Sequence, residues 1–539
     1  MSKQKVPTLF VRDATGLVRE FGAFSAFTWT FTDVVSSGIN YFSVKIPYSF
    51  PGSDPVVSFA LAGIPAFIAA ITATMLIAAV PRVGGQYVMF SRAIDPSLGH
   101  IMGGFVSWVL NIYCVAWFVY IPTYFWGHLL WLVGKVNNID LLMTWGMTIQ
   151  NNLGLRLAIG MVFLIVFVVI DMAGSRAMKW AINILFFAYL IGGVAAIATF
   201  VTHPPATAKE SWDTNFGAGA YDEIVNTAEA NGWTAAQFAP AAINWDATLR
   251  SMSFTFWAYV GFEFLAPIGG ELREPKKSAF WGSMGAVIII IIWYMLTVWS
   301  VYYSYPKAFI SQYDYVLNEV DINGEPVVNQ LTINPGLEAT LPLFAASATT
   351  DRTMQLIIAL FVPMGIVNAI PGVQAMASRT LFAQAFDRQL PEVLSKVGRR
   401  FRGPIVAAVV SGIAAAFWLY CYIANVLVAV LYLDFMESLL YMFFGLSAMG
   451  IALRRRDLWE RGYKLSIGGV PLMLIFGILT LGLAGWWMTL TAALALAVTT
   501  IIGFSIIIMI GAALYGYYYL VNLKKGINMA ELYTELPPE

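Results

Sequence analysis

Four carboxylic side chains, Asp33, Glu263, Asp434 and Glu437, lie within or beside long apolar runs of this 539-residue chain. An ionised group in hydrocarbon costs about 3 kcal/mol on insertion scales, so such residues are kept where they face a cavity or a partner. Two kinds of chemistry suit them. A carboxyl group binds and releases a proton as its surroundings alternate between dry and wet. A carboxylate also pairs with a positively charged ligand. Asp434 and Glu437 are three residues apart and share one helical face. For each carboxyl taken singly, a protonated group bonded to a neighbouring helix is the plain structural alternative; the four together favour function.

Two of the acids sit in apolar segments that also carry helix-weakening residues. One reads Phe31-Thr32-Asp33-Val34-Val35-Ser36-Ser37-Gly38-Ile39-Asn40-Tyr41-Phe42. The other reads Phe254-Thr255-Phe256-Trp257-Ala258-Tyr259-Val260-Gly261-Phe262-Glu263-Phe264, followed by Pro267 and Gly269-Gly270. Small polar residues and glycine also serve close helix packing, but a carboxyl in mid-segment argues for a broken helix. A break leaves N–H groups unpaired at one half-helix start and C=O groups unpaired at the other half's end. The first attracts a carboxylate and the second an ammonium.

The elements that position these residues are membrane spans. Hydrophobic residues make up 59% of the chain and charged residues 12%, about half the charge of a soluble domain. Runs near 20 apolar residues give twelve spans, at 23–47, 57–80, 103–133, 154–171, 178–202, 249–270, 279–304, 354–385, 404–424, 426–452, 467–487 and 490–521. Spans nine and ten are joined through Ile423-Ala424-Asn425, which predicts a tight hairpin. Spans one and six hold the two breaks, five spans apart. Paired interrupted helices in corresponding places of two halves are the sequence sign of a transporter binding site. Spans one to five and six to ten then form an inverted repeat.

The basic residues orient the chain. With the N-terminus in the cytoplasm, 24 of the 31 Lys and Arg fall on the inner side, as the positive-inside rule requires. Residues 1–22 are then a cytoplasmic segment with no cleaved leader. The first repeat covers 23–202, an extracellular loop 203–248, and the second repeat 249–452 with an extracellular loop at 305–353. Residues 453–521 hold spans eleven and twelve, and 522–539 form a cytoplasmic tail. The two long loops predict short amphipathic helices on the outer surface. The expected location is the cell (plasma) membrane, multi-pass, with lipid all round.

Formal net charge is zero, which implies no nucleic-acid partner. Cys114 and Cys421 stand alone in separate spans, and His100, His128 and His203 make no metal-ligand cluster. No nucleotide loop or nucleophile setting points to an enzyme or a primary pump. A channel or a nutrient sensor on the same scaffold is the remaining rival, as either monomer or homodimer.

Three segments resemble the amino acid–polyamine–organocation transporter family. Pro81-Arg82-Val83-Gly84-Gly85-Gln86-Tyr87, with Arg92, Pro96 and Gly99, is similar to the loop after that family's second helix. Phe256 to Glu263, with Glu271, Glu274 and Pro275, resembles its sixth. Ser378-Arg379 through Asp387, Leu390, Pro391 and Pro404 resembles the end of its eighth and the following loop. The resemblance covers about residues 20–460. It implies an all-α, leucine-transporter-type 5+5 inverted repeat plus two C-terminal helices, moving amino acids or related amines by alternating access.

By that resemblance Ser37 and Gly38 take a substrate carboxylate, flanked by Ser36 and Ile39. The carbonyls of Val34 and Val35, and of Trp257 and Val260, face its ammonium. Ala258 and Gly261 belong to the same site, and Trp257 resembles the family's aromatic gate. Some proton-coupled members carry a lysine in helix five; here Tyr189 falls near that position, and Lys179 reads as an inner-surface residue. Glu263 is the expected proton-coupling group. Asp33, Asp434 and Glu437 suit either coupling or a cationic substrate such as a polyamine. A sodium site at Val35 and Ser378 is the alternative coupling ion, and no other cofactor is implied. Trp108, Asn111, Tyr113 and Gln374 are expected pocket-lining residues. Symport, and exchange by an antiporter, both remain open at this stage.

Overall fold

The computed structural model describes residues 9–332, 337–427, 432–495 and 498–538. Among these residues, ten helices are long and apolar enough to cross a membrane. The chain is an all-α polytopic membrane protein apart from a small hairpin, Ser466–Ile467 with Val470–Pro471.

The first apolar segment is two helices, α1 (Ala23–Val34) and α2 (Ser37–Ser49). Then follow α3 (Pro55–Ala79), a short α4 (Gly85–Ala93), α5 (Pro96–Asn137), α6 (Leu153–Met172) and α7 (Gly174–Thr202). The second set is α8 (Trp245–Ala258), α9 (Pro275–Ser304), α10 (Arg352–Phe386), α11 (Ile405–Ile423) and α12 (Leu433–Arg454). Helices α13 (Leu472–Ala495) and α14 (Val498–Lys524) close the chain. Helix α1 lies among α7, α9 and α10, α2 packs on α8, and α8 packs on α3. Helix α13 lies along α12, and α14 lies against the start of α5.

The sixth apolar segment departs from expectation. After Ala258 the chain does not resume a helix but runs through turns to the single turn Gly269–Glu271. Gly261 has φ 126°, a conformation that side chains rarely adopt. Pro267 then removes a donor and disfavours helix at Ala266. The link between α11 and α12 also differs from a tight hairpin. Asn425 and Leu427 have positive φ, α12 starts only at Leu433, and residues 428–431 of the expected span lie outside those described.

The two long loops do not lie separately on the surface. Helices Pro205–Phe216, Ala220–Ala230, Lys307–Asn318 and Leu341–Ser347 pack together. Fully buried Trp212 is their hub, with Phe309, Tyr313 and Phe344 at ring distances of 5.1, 5.5 and 6.0 Å. On the opposite face, Leu9 and Phe10 meet the tail cluster Ile527, Met529, Leu532 and Tyr533, so both terminal segments cover one side.

Candidate functional site

The first break is two residues long. Val35 (φ −80°, ψ 66°) and Ser36 (φ −121°, ψ −122°) leave helical geometry between α1 and α2. No side chain caps the start of α2, so the amides of Ser37, Gly38 and Ile39 point into the break uncapped. At the other side, Val35 N–H donates to Phe31 O (2.8 Å) and Ser36 N–H to Val34 O (2.8 Å).

The second break lies directly against the first. A Cβ on Gly38 would stand 2.6 Å from the Ala258 Cα, and one on Gly261 would stand 3.0 Å from Val34 Cγ2. Only glycines allow this double crossing, which places the end of α8 across the start of α2. A third element ties them. The Tyr294 hydroxyl on α9 lies 2.8 Å from Val34 O and 2.7 Å from Ala258 O, shared between the two helix ends.

This geometry edits the expected ammonium site. Val34 O already accepts from Ser36 N–H and shares the single Tyr294 hydroxyl proton with Ala258 O. Trp257 O accepts from Val260 N–H at 3.0 Å. Val35 O faces α10, where a Cβ on Gly365 would be 3.1 Å away and would also meet the ring of Tyr189 at 2.6 Å. Tyr189 thus sits beside the break. Ser378 does not. It lies thirteen residues further along α10, about 20 Å away, bonded to Arg379 Nη1 (3.1 Å) and Ala375 O (3.0 Å). The Val35–Ser378 pairing is therefore corrected: the fold keeps the two apart.

The four carboxyl groups converge without cations. Asp33 is buried, both its oxygens lack a hydrogen-bond partner, and they press on Gly372 of α10. Glu263 accepts from the Tyr441 hydroxyl at 2.6 Å, and its other oxygen is unpartnered. Glu437 and Asp434 on the first turns of α12 are in electrostatic range of one another, and Glu437 of Glu263. Asp33 in turn feels Glu263. Among the described residues none of the four forms an ion pair.

From the breaks a cleft of about 480 Å³ opens on the face opposite the termini, bounded by Ser37, Trp257 and aromatic residues. Trp257 stands in its wall. The α5 residues in that wall are Trp117, Tyr120 and Tyr124. The expected liners lie elsewhere. Trp108 donates to Ser411 Oγ (3.1 Å), Gln374 to Ala408 O (3.1 Å), and Tyr113 packs on Trp418 and Tyr422. Asn111 is buried within α5.

The termini face is closed by two buried ion clusters. Arg379 pairs with Asp171 and with Glu271 (2.8 Å), and Ser175 donates to Glu271 (2.5 Å). Arg92 pairs with Asp387 (2.6 Å), which also accepts from Tyr87 (2.8 Å). The Gly84-Gly85 pair explains its own motif. Gly84 N–H donates to Pro267 O (2.9 Å), and a Cβ on Gly85 would lie 2.4 Å from the Ala266 carbonyl carbon. The glycines let this loop lie flush on the irregular chain after α8. Lys179 pairs with Glu20 (2.9 Å) at this face. Sequence reasoning missed Tyr294, whose hydroxyl in the run Ile288–Leu296 was the one available sign.

The amino acid permease family matches residues 21–515. The chain is also similar to the serine/threonine exchanger SteT of Bacillus subtilis (strain 168), with 23% identity over 396 residues, 73% of this chain and 74% of that protein. Motif glycines, crossed helix breaks and this near full-length match agree: the chain belongs to the amino acid permease family, within the amino acid–polyamine–organocation transporters.

Proposed function

We propose that this protein is a secondary active transporter that moves amino acids or related amines across the plasma membrane by alternating access, coupled to protons. The crossing of the two breaks at Gly38–Ala258 and Gly261–Val34 carries this reading. Uncapped amides of Ser37, Gly38 and Ile39 receive the substrate carboxylate. The carbonyls of Val35 and Val260 receive its ammonium, while Tyr294 holds the carbonyls of Val34 and Ala258. The twelve-span, 5+5 arrangement follows if α1–α2 and α8 are counted as spans one and six. Both termini then lie in the cytoplasm, and the closed ion-pair face is the inner gate. A cleft that reaches the helix breaks from one side, against buried ion pairs across the chain on the other, supports an outward-facing state.

Glu263 is the coupling group in this reading. It is a buried carboxyl that accepts from Tyr441 on α12, so movement of α12 changes its surroundings. Uptake of tritiated amino acids into proteoliposomes, with and without an inward proton gradient, tests it. Wild type should accelerate with the gradient, and Glu263→Gln should lose that dependence while still binding substrate. An unchanged gradient dependence in Glu263→Gln would sink the coupling role. The exchanger relative favours a second mode, one-for-one exchange. Uptake that requires amino acid preloaded inside the vesicles would establish it.

A further inference from the structure

The outer end of the cleft carries chemistry that the helix breaks do not use. Ser37, Tyr41, Lys45 and Ser49 are spaced by four residues on α2 and all line the cleft. Lys45 is eight residues from Ser37, about 12 Å along the helix. One amino-acid backbone cannot touch both. At the outer end the Lys45 ammonium is paired with the Glu338 carboxylate and sits 5.3 Å from the centre of the Tyr41 ring. Tyr124 also lines the cleft beside Glu338. An ammonium group is thus already held between a carboxylate and an aromatic face, the arrangement that recognises amines.

We propose that this outer end is a second amino-acid-binding station, in which Lys45 takes a ligand's carboxylate while Glu338 and the Tyr41 ring take its ammonium. The proposal rests on the transporter reading above and adds a site to it. A zwitterion entering between Lys45 and Glu338 leaves every charge paired, so nothing is stranded. The existing pair opens at little cost. Its side chains are 23% and 25% exposed, and ion pairs in contact with water are weak. The ligand side chain then lies on Trp117, Tyr120 and Phe254, which favours apolar and aromatic residues.

Arg156 sets a further preference. It is 7% exposed, its Nε and Nη2 have no hydrogen-bond partner, and its guanidinium lies 4.9 and 5.4 Å from the Tyr120 and Tyr124 rings. This fixed charge behind the wall disfavours a second cation there. The station therefore selects neutral amino acids over dibasic ones.

Equilibrium binding of a tritiated equimolar mixture of the standard L-amino acids to the purified full-length protein tests the proposal. Glu338→Gln and Lys45→Met should each bind half as much as wild type at saturation, with melting temperatures near that of wild type. Wild-type binding that saturates at one ligand per chain overturns the second station. So does wild-type stoichiometry in both variants, or loss of all binding in either, since the stations would then not be separate. Absence of saturable binding in wild type overturns the transporter reading instead, and is distinguishable from all of these.

Discussion

The molecule buries two sets of carboxyl groups to the same depth and treats them in opposite ways. At the termini face Asp171, Glu271 and Asp387 are fully buried, and each has an arginine. At the helix breaks Asp33, Glu263, Asp434 and Glu437 are 9% exposed or less, and among the described residues none has a cation. Burial alone therefore does not mark function in this protein. The paired set fixes one arrangement of α4, α6 and α10 with the chain after α8. The unpaired set leaves charge to be supplied by a proton or a ligand, in a place where two helices end.

The comparison is broken most severely by unpairing the first set. Arg379→Met strands Asp171 and Glu271 without a cation, and loss of one member of a buried ion cluster costs about 3–5 kcal/mol. Thermal unfolding in detergent should drop accordingly. A melting temperature within error of wild type would mean that the cluster does not hold the closed face.

The same kind of change in the second set should barely move stability. Asp33 has no hydrogen bond to lose, so Asp33→Asn is expected to stay within about 1 kcal/mol of wild type. Its effect should fall on ligand charge. Competition binding should show lysine-like ligands weakened about tenfold relative to leucine-like ones, a difference of about 1.4 kcal/mol. Equal weakening of both would remove Asp33 from charge recognition.

The smallest expected effect lies in the outer cap and turns on pH. Burial pushes the Asp314 carboxyl up to about 7, with the Lys45 charge opposing and the Glu338 charge assisting. Its folded value is above its ordinary one, so protonation stabilises the fold. That contribution is complete below about pH 4 and is lost as pH rises through about 7. Wild-type melting temperature should therefore fall between pH 5 and pH 8, and Asp314→Asn should flatten that slope. An identical slope in the variant would assign the pH response to other groups.

Much of this was legible before the fold was known, and for physical reasons. Apolar run length and loop charge reveal membrane spans because the bilayer imposes both. The breaks were legible at Ser36-Ser37-Gly38 and Gly261 because helix-weakening residues beside a carboxyl are costly without a use. What the sequence concealed depends on partners distant in the chain. Pro267 and the glycine pair Gly84-Gly85 keep the sixth span from resuming as a helix, through contacts 180 residues apart. Tyr294 joins two carbonyls from segments that its own neighbours do not announce. Ser378 looked like a sodium ligand by type, but its hydroxyl is drawn into the Arg379 cluster. The pocket wall shifted outward along α5, from Trp108 and Asn111 to Trp117, Tyr120 and Tyr124, because helix phase fixes a face without fixing depth.

The central claim is that substrate crosses through the paired breaks, and counterflow tests it most directly. Proteoliposomes loaded with unlabelled amino acids are diluted into tritiated ones with no ion gradient. Wild type should accumulate label transiently. Gly38→Ala, which drives a methyl group into the Ala258 backbone at 2.6 Å, should abolish that overshoot while remaining folded. An overshoot of wild-type size in Gly38→Ala, or none in wild type, would contradict the account.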